Sequence, residues 1–381
     1  MRKDCDEDAG KACERYVTGH HRSKPFEMSP FLSMCFSPLS WLYRAGIATR
    51  ISAYRRGWLT VRTLLVPVIS IGNIAVGGTG KTPLTIYVTK LLKKLGYRPA
   101  VVSRGYRRKG RGVDVGSDGE RIVLSSREAG DEPYLMALKL PGVPTIVGKD
   151  RWQAGMIAIE RYGCNVIVLD DGFQYLGLRR DLDIVVIDAT APFGRLLPAG
   201  RFREPVNHLK RADLIVLTRV DQCRDLKEVR RRIRDVCPST PVAESVHKPV
   251  GFVEPVGCEY RPDELKGRSV FVVSGIGRPE TFEETVAAIG CRIIGRRRYA
   301  DHHRYTHSDL EKIADAALRV GAEVIVTTEK DLVRFPAELT LPLPLLALGI
   351  MIDIVEGEDY LIDLCRFSPG ITKEDAVLQR S

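Results

Sequence analysis

The sequence predicts an α/β protein: a mostly parallel sheet with flanking helices, joined by a linker to a second, smaller α/β unit. Three observations carry this. Short apolar runs at residues 66–71, 99–103, 166–169, 183–187 and 214–217 alternate with segments of helical period, the pattern of parallel strands with crossover helices. A glycine-rich turn follows the first run and opens a helix. The alternation breaks at residues 245–267, around Lys248-Pro249-Val250-Gly251 and Glu254-Pro255-Val256-Gly257, and then resumes.

The elements follow in order. Residues 1–27 are polar, mixed in charge and without periodicity, which predicts a disordered extension and makes Met28 a candidate start. Residues 38–58 read as a basic amphipathic helix. Leu39, Leu42, Tyr43, Ile47, Ile51, Tyr54 and Trp58 share one face, with Arg44, Arg55 and Arg56 beside it. That pattern suits a helix lying in a membrane interface and equally a helix packed on its own domain. Residues 66–71 form a buried strand. The turn Gly72-Asn73-Ile74-Ala75-Val76-Gly77-Gly78-Thr79-Gly80-Lys81-Thr82-Pro83 comes next. Its glycines let backbone N–H groups crowd round anionic oxygens, Lys81 reaches terminal phosphates, and Thr82 offers a hydroxyl to Mg²⁺. Such a loop places glycine at position 75, where this chain has Ala75. The strand–turn–helix frame is intact, with Pro83 in the first helical turn and Leu84, Tyr87, Val88, Leu91 and Leu92 at helical spacing. The fold class is therefore that of a P-loop NTPase.

Beyond it, 132–140 and 151–162 read as helices and 143–147 as extended. The strand at 166–169 ends in Asp170-Asp171, where P-loop enzymes place an acid near the metal. In the second unit, 270–273, 292–294 and 323–326 read as strands, with helices from Glu280 and over 308–320.

Composition agrees. The 381 residues are 44% hydrophobic and 28% charged, ordinary for a globular protein with two cores. Nine cysteines without CxxC spacing argue against a zinc or redox motif and fit a reducing cytosol. The apolar stretch 341–355 is interrupted by Pro342, Pro344 and Asp353, so no transmembrane helix is expected. The net charge of +10 is concentrated: residues 28–113 hold fifteen Lys and Arg and no Asp or Glu. A basic region of this kind fits phosphates, a phosphorylated substrate, an anionic membrane or nucleic acid.

Several further segments join the loop. They are Ser103-Arg104-Gly105-Tyr106, Gly130-Asp131-Glu132-Pro133, Asp170-Asp171-Gly172-Phe173-Gln174 and Leu197-Pro198-Ala199-Gly200-Arg201 with Arg203-Glu204-Pro205. Asp301-His302-His303 and Thr328-Glu329-Lys330-Asp331 lie further on. Together, and in this order over roughly residues 35–335, they resemble the tetraacyldisaccharide 4′-kinase (lipid A 4′-kinase) family. Two positions depart from the family pattern: Tyr175 stands where His is frequent after Phe-Gln, and Ala300 where Pro is frequent before Asp-His.

The resemblance implies transfer of the ATP γ-phosphate to the 4′-hydroxyl of a tetraacylated glucosamine disaccharide 1-phosphate, giving lipid IVA, with ATP and Mg²⁺ as cofactors. It implies Asp131 as the base, paired with His302, and Lys81 on the phosphates. Gly77, Gly78, Thr79, Gly80, Lys81 and Thr82 would bind the nucleotide. Thr82, Gln174, Glu204, Asp170 and Asp171 would form the metal side. The expected division is an extension at 1–27, a kinase domain with its membrane-associating helix at 28–247, and a smaller α/β domain at 248–381, with the active site between the last two. The partners implied are the glycolipid and the anionic cytoplasmic face of the inner membrane, with peripheral attachment, no nucleic acid and no obligate protein partner. The arginine-rich stretch 104–111 could meet the substrate's 1-phosphate, lipid head groups or solvent.

Two rivals are weighed. Regulatory P-loop ATPases of the partitioning or metallochaperone type share Gly-Gly-x-Gly-Lys-Thr but carry a signature lysine where this chain has Val76. A nucleic-acid-binding protein would fit the basic stretch, but no recognition motif accompanies it.

Overall fold

The structure, a computed structural model, describes residues 36–255, 257, 259–336, 338 and 341–367. The extension expected at 1–27 lies outside them. Helix α1 (Ser37–Arg55) leads to β1 (Val68–Gly72) and, after the glycine turn, to α2 (Lys81–Lys94). Then come β2 (Pro99–Ser103), β3 (Asp114–Ser117), α3 (Ser126–Ala129), α4 (Asp131–Lys139), β4 (Thr145–Val147) and α5 (Arg151–Tyr162). β5 (Val166–Asp170), β6 (Leu182–Asp188), β7 (Leu214–Thr218) and α6 (Leu226–Val236) complete the first half. The second half runs β8 (Val242–Val253), β9 (Glu259–Tyr260), β10 (Ser269–Ser274), α7 (Pro279–Ala288), β11 (Arg292–Arg298) and α8 (His307–Arg319). It ends with β12 (Val324–Thr328), α9 (Glu329–Leu332), β13 (Leu345–Glu356) and α10 (Glu358–Leu364).

Every residue of β1, β2, β5, β6 and β7 is buried, because helices cover both faces of this parallel group. On one face, Leu84, Val88 and Leu92 of α2 sit at helical spacing against Ile69, Ile71, Val168 and Ile184. Both leucines are fully buried, so truncating either to Ala costs about 2–5 kcal/mol. On the other face, Ala154 and Ala158 of α5 pack on Ile146 and Ile167, and Val229 and Ile233 of α6 on Val185 and Ile215.

The thirteen strands form one sheet, in the order β11-β10-β12-β13-β8-β7-β6-β1-β5-β2-β4-β3, with β9 on β8. The first group is parallel except for the edge strand β3. In the second, β10, β11, β12 and β13 are also parallel. The two meet through β8 and β13, which pair antiparallel from Ala347↔Val253 to Glu356↔Glu244. β8 pairs with β7 at Val242–Glu244 and then runs on into the second group. β13 starts beside β12 and runs back toward the first. The C-terminal ends of both parallel groups therefore face each other across a cleft.

The linker expectation needs correction here. Residues 248–251, read as linker, are inside β8, and the expected boundary at 247/248 cuts that strand. Residues 341–355, noted only as too interrupted to span a membrane, contain most of β13. In addition, Ile352, Leu361 and Cys365 pack in the core of the first group, so the chain's last described stretch returns to the nucleotide-loop side.

Candidate active site

The glycine turn is braced from below. A Cβ on Gly72 would lie 2.5 Å from the Phe173 Cβ, so only glycine lets β1 pass this close to the Asp170–Phe173 segment. Asn73 is fully buried and acts as a hub. Its Nδ2 donates to Thr79 Oγ1 (2.7 Å), its Oδ1 accepts from Arg203 Nη2 (2.7 Å), and its carbonyl accepts from Gln174 Nε2 (2.8 Å). Carbonyls of the turn are taken up by outside groups: Val76 O by Arg201 Nη2 (3.0 Å), Gly78 O by Arg219 Nη2 (3.0 Å) and Thr79 O by Thr218 Oγ1 (2.9 Å). This leaves the N–H side of the loop and the N-terminus of α2 for anionic oxygens. The unexpected Ala75 bridges Phe202 and packs in the Ile74–Phe173 cluster. Its methyl fills a wall of the loop, away from the cradle.

Asp170 and Asp171 end β5 beside Lys81. Asp170 is 2% exposed and accepts from Ser103 Oγ (3.1 Å) and Thr85 Oγ1 (3.4 Å). Burial, reinforced by the neighbouring carboxylates of Glu132 and Asp171, pushes Asp170 up to about 7. Asp171 behaves oppositely. Burial works against its ionised form, but Lys81 at 3.7 Å and a forked contact from Arg203 outweigh it and hold Asp171 down at about 2. Behind this pair, Glu204 is tied to His208 Nδ1 (2.7 Å) and to Arg211. Burial raises its carboxyl, yet these partners and Gln174 bring it below the usual range.

On the same side as the loop, where α4 packs on α2, Gly130 takes φ 97° as the cap of α4 and Asp131 occupies the first turn. Asp131 Oδ2 lies 3.1 Å from His302 Nδ1. Asp131 also accepts from Arg334 Nε (2.8 Å) and Arg304 Nη2 (3.1 Å). Burial raises its carboxyl, but the His302 bond and the two guanidiniums outweigh burial and hold Asp131 below the ordinary carboxylate range. The Tyr106 ring meets His302 edge-on at 5.6 Å. Glu132 accepts from Lys330 Nζ at 2.6 Å. Lys330 first, against burial, and then Lys81 bring Glu132 to about 2.

Asp171, Arg219 and His302 all adopt positive φ, at 53°, 56° and 64°. Each such non-glycine conformation costs on the order of 1–3 kcal/mol, and these strained positions cluster at functional sites.

A cleft of about 870 Å³ runs between the two groups. Gly77, Gly78, Gly80, Lys81, Thr82, Asp170 and Asp171 line it from the first group, and His302, Lys330 and Arg334 from the second. Asp131 lies just behind His302. Gln174 and Glu204, expected on the metal side, stand behind the lining, adjacent to Asn73 and Arg211. No role was expected for Arg304, Arg334 or the Lys330–Glu132 pair. Arg334 stands four residues after Lys330, one turn on, which is the only sequence signal that linked them.

Comparison with known proteins places this geometry. The sequence profile of the tetraacyldisaccharide-1-P 4′-kinase family matches residues 32–363. Tetraacyldisaccharide 4′-kinase of Anaeromyxobacter sp. (strain Fw109-5) is 43% identical over 350 residues, covering 90% of this chain and 92% of that protein. The enzyme of the same name from Syntrophus aciditrophicus is 40% identical over 336 residues, covering 85% and 90%. The crystal structure of LpxK from Aquifex aeolicus in complex with ATP superimposes with a TM-score of 0.72 at 33% identity, covering 87% of this chain and 98% of that one.

Proposed function

The chain belongs to the tetraacyldisaccharide 4′-kinase family, and from that premise we propose how its cleft moves the ATP γ-phosphate onto the 4′-hydroxyl of the tetraacylated disaccharide 1-phosphate. It is an ATP-binding kinase of lipid A biosynthesis. The partitioning and metallochaperone alternative is set aside by the same family match. The observation that carries the mechanism is that the Lys81 loop and His302, which bonds Asp131 just behind it, line one cleft.

Phosphoryl transfer is mainly positioning and charge neutralisation. The loop N–H groups and Lys81 hold the phosphate oxygens. Asp171, paired to Lys81 and Arg203, keeps the lysine aimed. Asp131, ionised at neutral pH, accepts the hydroxyl proton as the 4′-oxygen closes on phosphorus. His302 fixes the plane of that carboxylate. The bond from γ-phosphorus to the bridging oxygen breaks, and ADP leaves.

The residues present fit Mg²⁺. Among the described residues no three His, Cys, Asp or Glu side chains form a self-contained cage, but Mg²⁺ at a nucleotide needs only one or two protein oxygens. Thr82, Asp170 and Asp171 offer hard oxygen donors beside Lys81, and the buried Gln174 Oε1 has no hydrogen-bond partner among the described residues. Glu204 would act through Gln174. When bound, the ion neutralises charge on the transferring phosphate.

The substrate carries four acyl chains, so the enzyme works at a membrane. No helix among the described residues is long and apolar enough to cross one. Helix α1 supports peripheral attachment to the cytoplasmic face of the inner membrane. One side is anchored on the site: Tyr43 OH donates to Arg203 O (3.1 Å), and Ser40 Oγ bridges Leu196 O and Ala199 N. The other side leaves Trp41 and Leu42 70% or more exposed, with arginines nearby to meet anionic head groups.

The test is label transfer from [γ-³²P]ATP to the lipid in detergent micelles. Replacing His302 with Ala should lower kcat by roughly 10- to 100-fold and alter its pH profile. An unchanged profile would remove His302 from the pair.

A further inference from the structure

The turn Thr328–Arg334 carries a dense set of charges that nucleotide and glycolipid binding leave unexplained. Glu329 pairs with Lys139 of α4. Lys330 Nζ reaches Glu132 at 2.6 Å. Asp331 is fully buried and accepts from Thr328 Oγ1 (2.7 Å), Gly275 N (3.0 Å), Tyr305 OH (3.1 Å) and Arg334 Nη1 (3.2 Å). Arg334, its side chain 1% exposed, donates from Nη1 to Gly275 O (2.8 Å) and from Nε to Asp131 Oδ2 (2.8 Å). Two cations one helical turn apart thus grip two successive acids at the start of α4.

We propose that Arg334 is a positioning residue for phosphoryl transfer, holding Asp131 so that its Oδ1 is the oxygen that takes the hydroxyl proton. The inference rests on the reading of Asp131 as the base. Asp131 Oδ2 is shared by Arg334 Nε and His302 Nδ1, and Arg334 Nη2 stands 3.3 Å from the same imidazole nitrogen. A guanidinium has only donors and keeps its proton at any working pH, and its planar fork is held rigidly by Asp331 and Gly275. Oδ2 is therefore occupied by a buried, fixed partner. Among the described residues Oδ1 meets only Arg304, whose side chain is 33% exposed and can swing into solvent. A substrate hydroxyl displaces the mobile arginine and not the buried one. The proton passes from the 4′-hydroxyl to Oδ1, and the oxygen's electron pair forms the bond to phosphorus as the bond to ADP breaks.

The charged groups facing Asp131 are His302 and Arg304 from the loop after β11, Arg334 with Asp331 from the turn after β12, and the neighbouring Glu132–Lys330 pair. Of these, Arg334 is the buried cation in direct contact, so its removal raises the Asp131 pKa. Because the base must be ionised, the acid limb of the kcat–pH profile then moves to higher pH.

The experiment compares wild type, Arg334→Gln, Arg334→Lys and Asp131→Asn as full-length proteins in the micelle assay. Arg334→Gln should lower kcat about tenfold or more and move the acid limb up by about one pH unit, with KM for ATP changed by less than about threefold. Arg334→Lys should recover part of both effects. An acid limb unmoved in both folded variants overturns the proposal, as does failure of both to fold, which would make Arg334 a core residue alone. If Gln alone fails to fold, the limb of the Lys variant decides. Asp131→Asn separates the two levels: full activity there removes the base itself, whereas lost activity with unmoved Arg334 limbs removes only the role of Arg334.

Discussion

Gly72 and Arg334 mark the two ends of what single residues disclose. Gly72 is visible in the sequence as part of a phosphate loop, and its cause is steric: the Phe173 backbone and Cβ occupy the space a side chain needs. Gly72→Ala should therefore cost roughly 1–3 kcal/mol through overpacking, measured as a lower Tm in thermal denaturation. It should also weaken ATP binding, because β1 and the Asp170–Phe173 segment must separate. A Tm within error of wild type would contradict that packing. Asp131, His302 and Lys81 could be proposed from the motifs that carry the family resemblance. Arg334 could not, since an arginine on an ordinary turn acquires its meaning only when the fold brings a buried carboxylate to it. The resemblance put Gln174 and Glu204 on the metal side without saying which of them touches the ion; in the fold Glu204 bonds His208 and Arg211 and is not part of the cleft lining.

Among the elements, those with a clear period were legible and those that bridge the two groups were not. The buried strands β1, β5, β6 and β7 and helix α2 fall within a residue or two of their expected places. β8 was hidden by Lys248-Pro249-Val250-Gly251, which has the composition of a turn. It survives as a strand because the ladder shifts register between Gly349 and Ile350, opposite Gly251 and Pro249, and a bulge tolerates proline. Helix α1 was legible as a helix open between two roles, but it ends at Arg55 short of Trp58, and Leu42 and Tyr43, expected on one face, fall on different sides. Its geometry separates its faces, one on Arg203 and Leu196, the other free. Burying an apolar side chain of this size contributes about 1.5–3 kcal/mol. The double variant Trp41→Ser/Leu42→Ser should thus bind anionic vesicles roughly 100-fold more weakly in co-sedimentation, with Tm unchanged because both side chains are exposed. Undiminished vesicle binding would move the membrane contact elsewhere.

For the whole molecule, the decisive feature is a single sheet whose two parallel groups point their C-terminal ends at one another. Ion pairs then close the cleft: Glu132–Lys330, Asp131–Arg334 and Lys139–Glu329. Glu132 is held near 2 in the folded protein, well below its ordinary value. A depressed acid stabilises the fold above its unfolded pKa and loses that contribution as pH falls through the folded value. Calorimetric Tm should therefore decline between about pH 4.5 and pH 2, and Glu132→Gln should flatten part of that decline. An identical decline in the variant would mean the pair does not hold the groups together. The proposed mechanism needs the Lys81 loop and the Asp131 carboxylate to meet one substrate. The most direct test is a crystal structure of the enzyme with a non-hydrolysable ATP analogue and the tetraacyldisaccharide 1-phosphate. The 4′-oxygen should lie about 2.6–3.2 Å from an Asp131 carboxylate oxygen, with the γ-phosphate held by Lys81. A 4′-oxygen beyond hydrogen-bond reach of Asp131, with the γ-phosphate in place, would contradict the account.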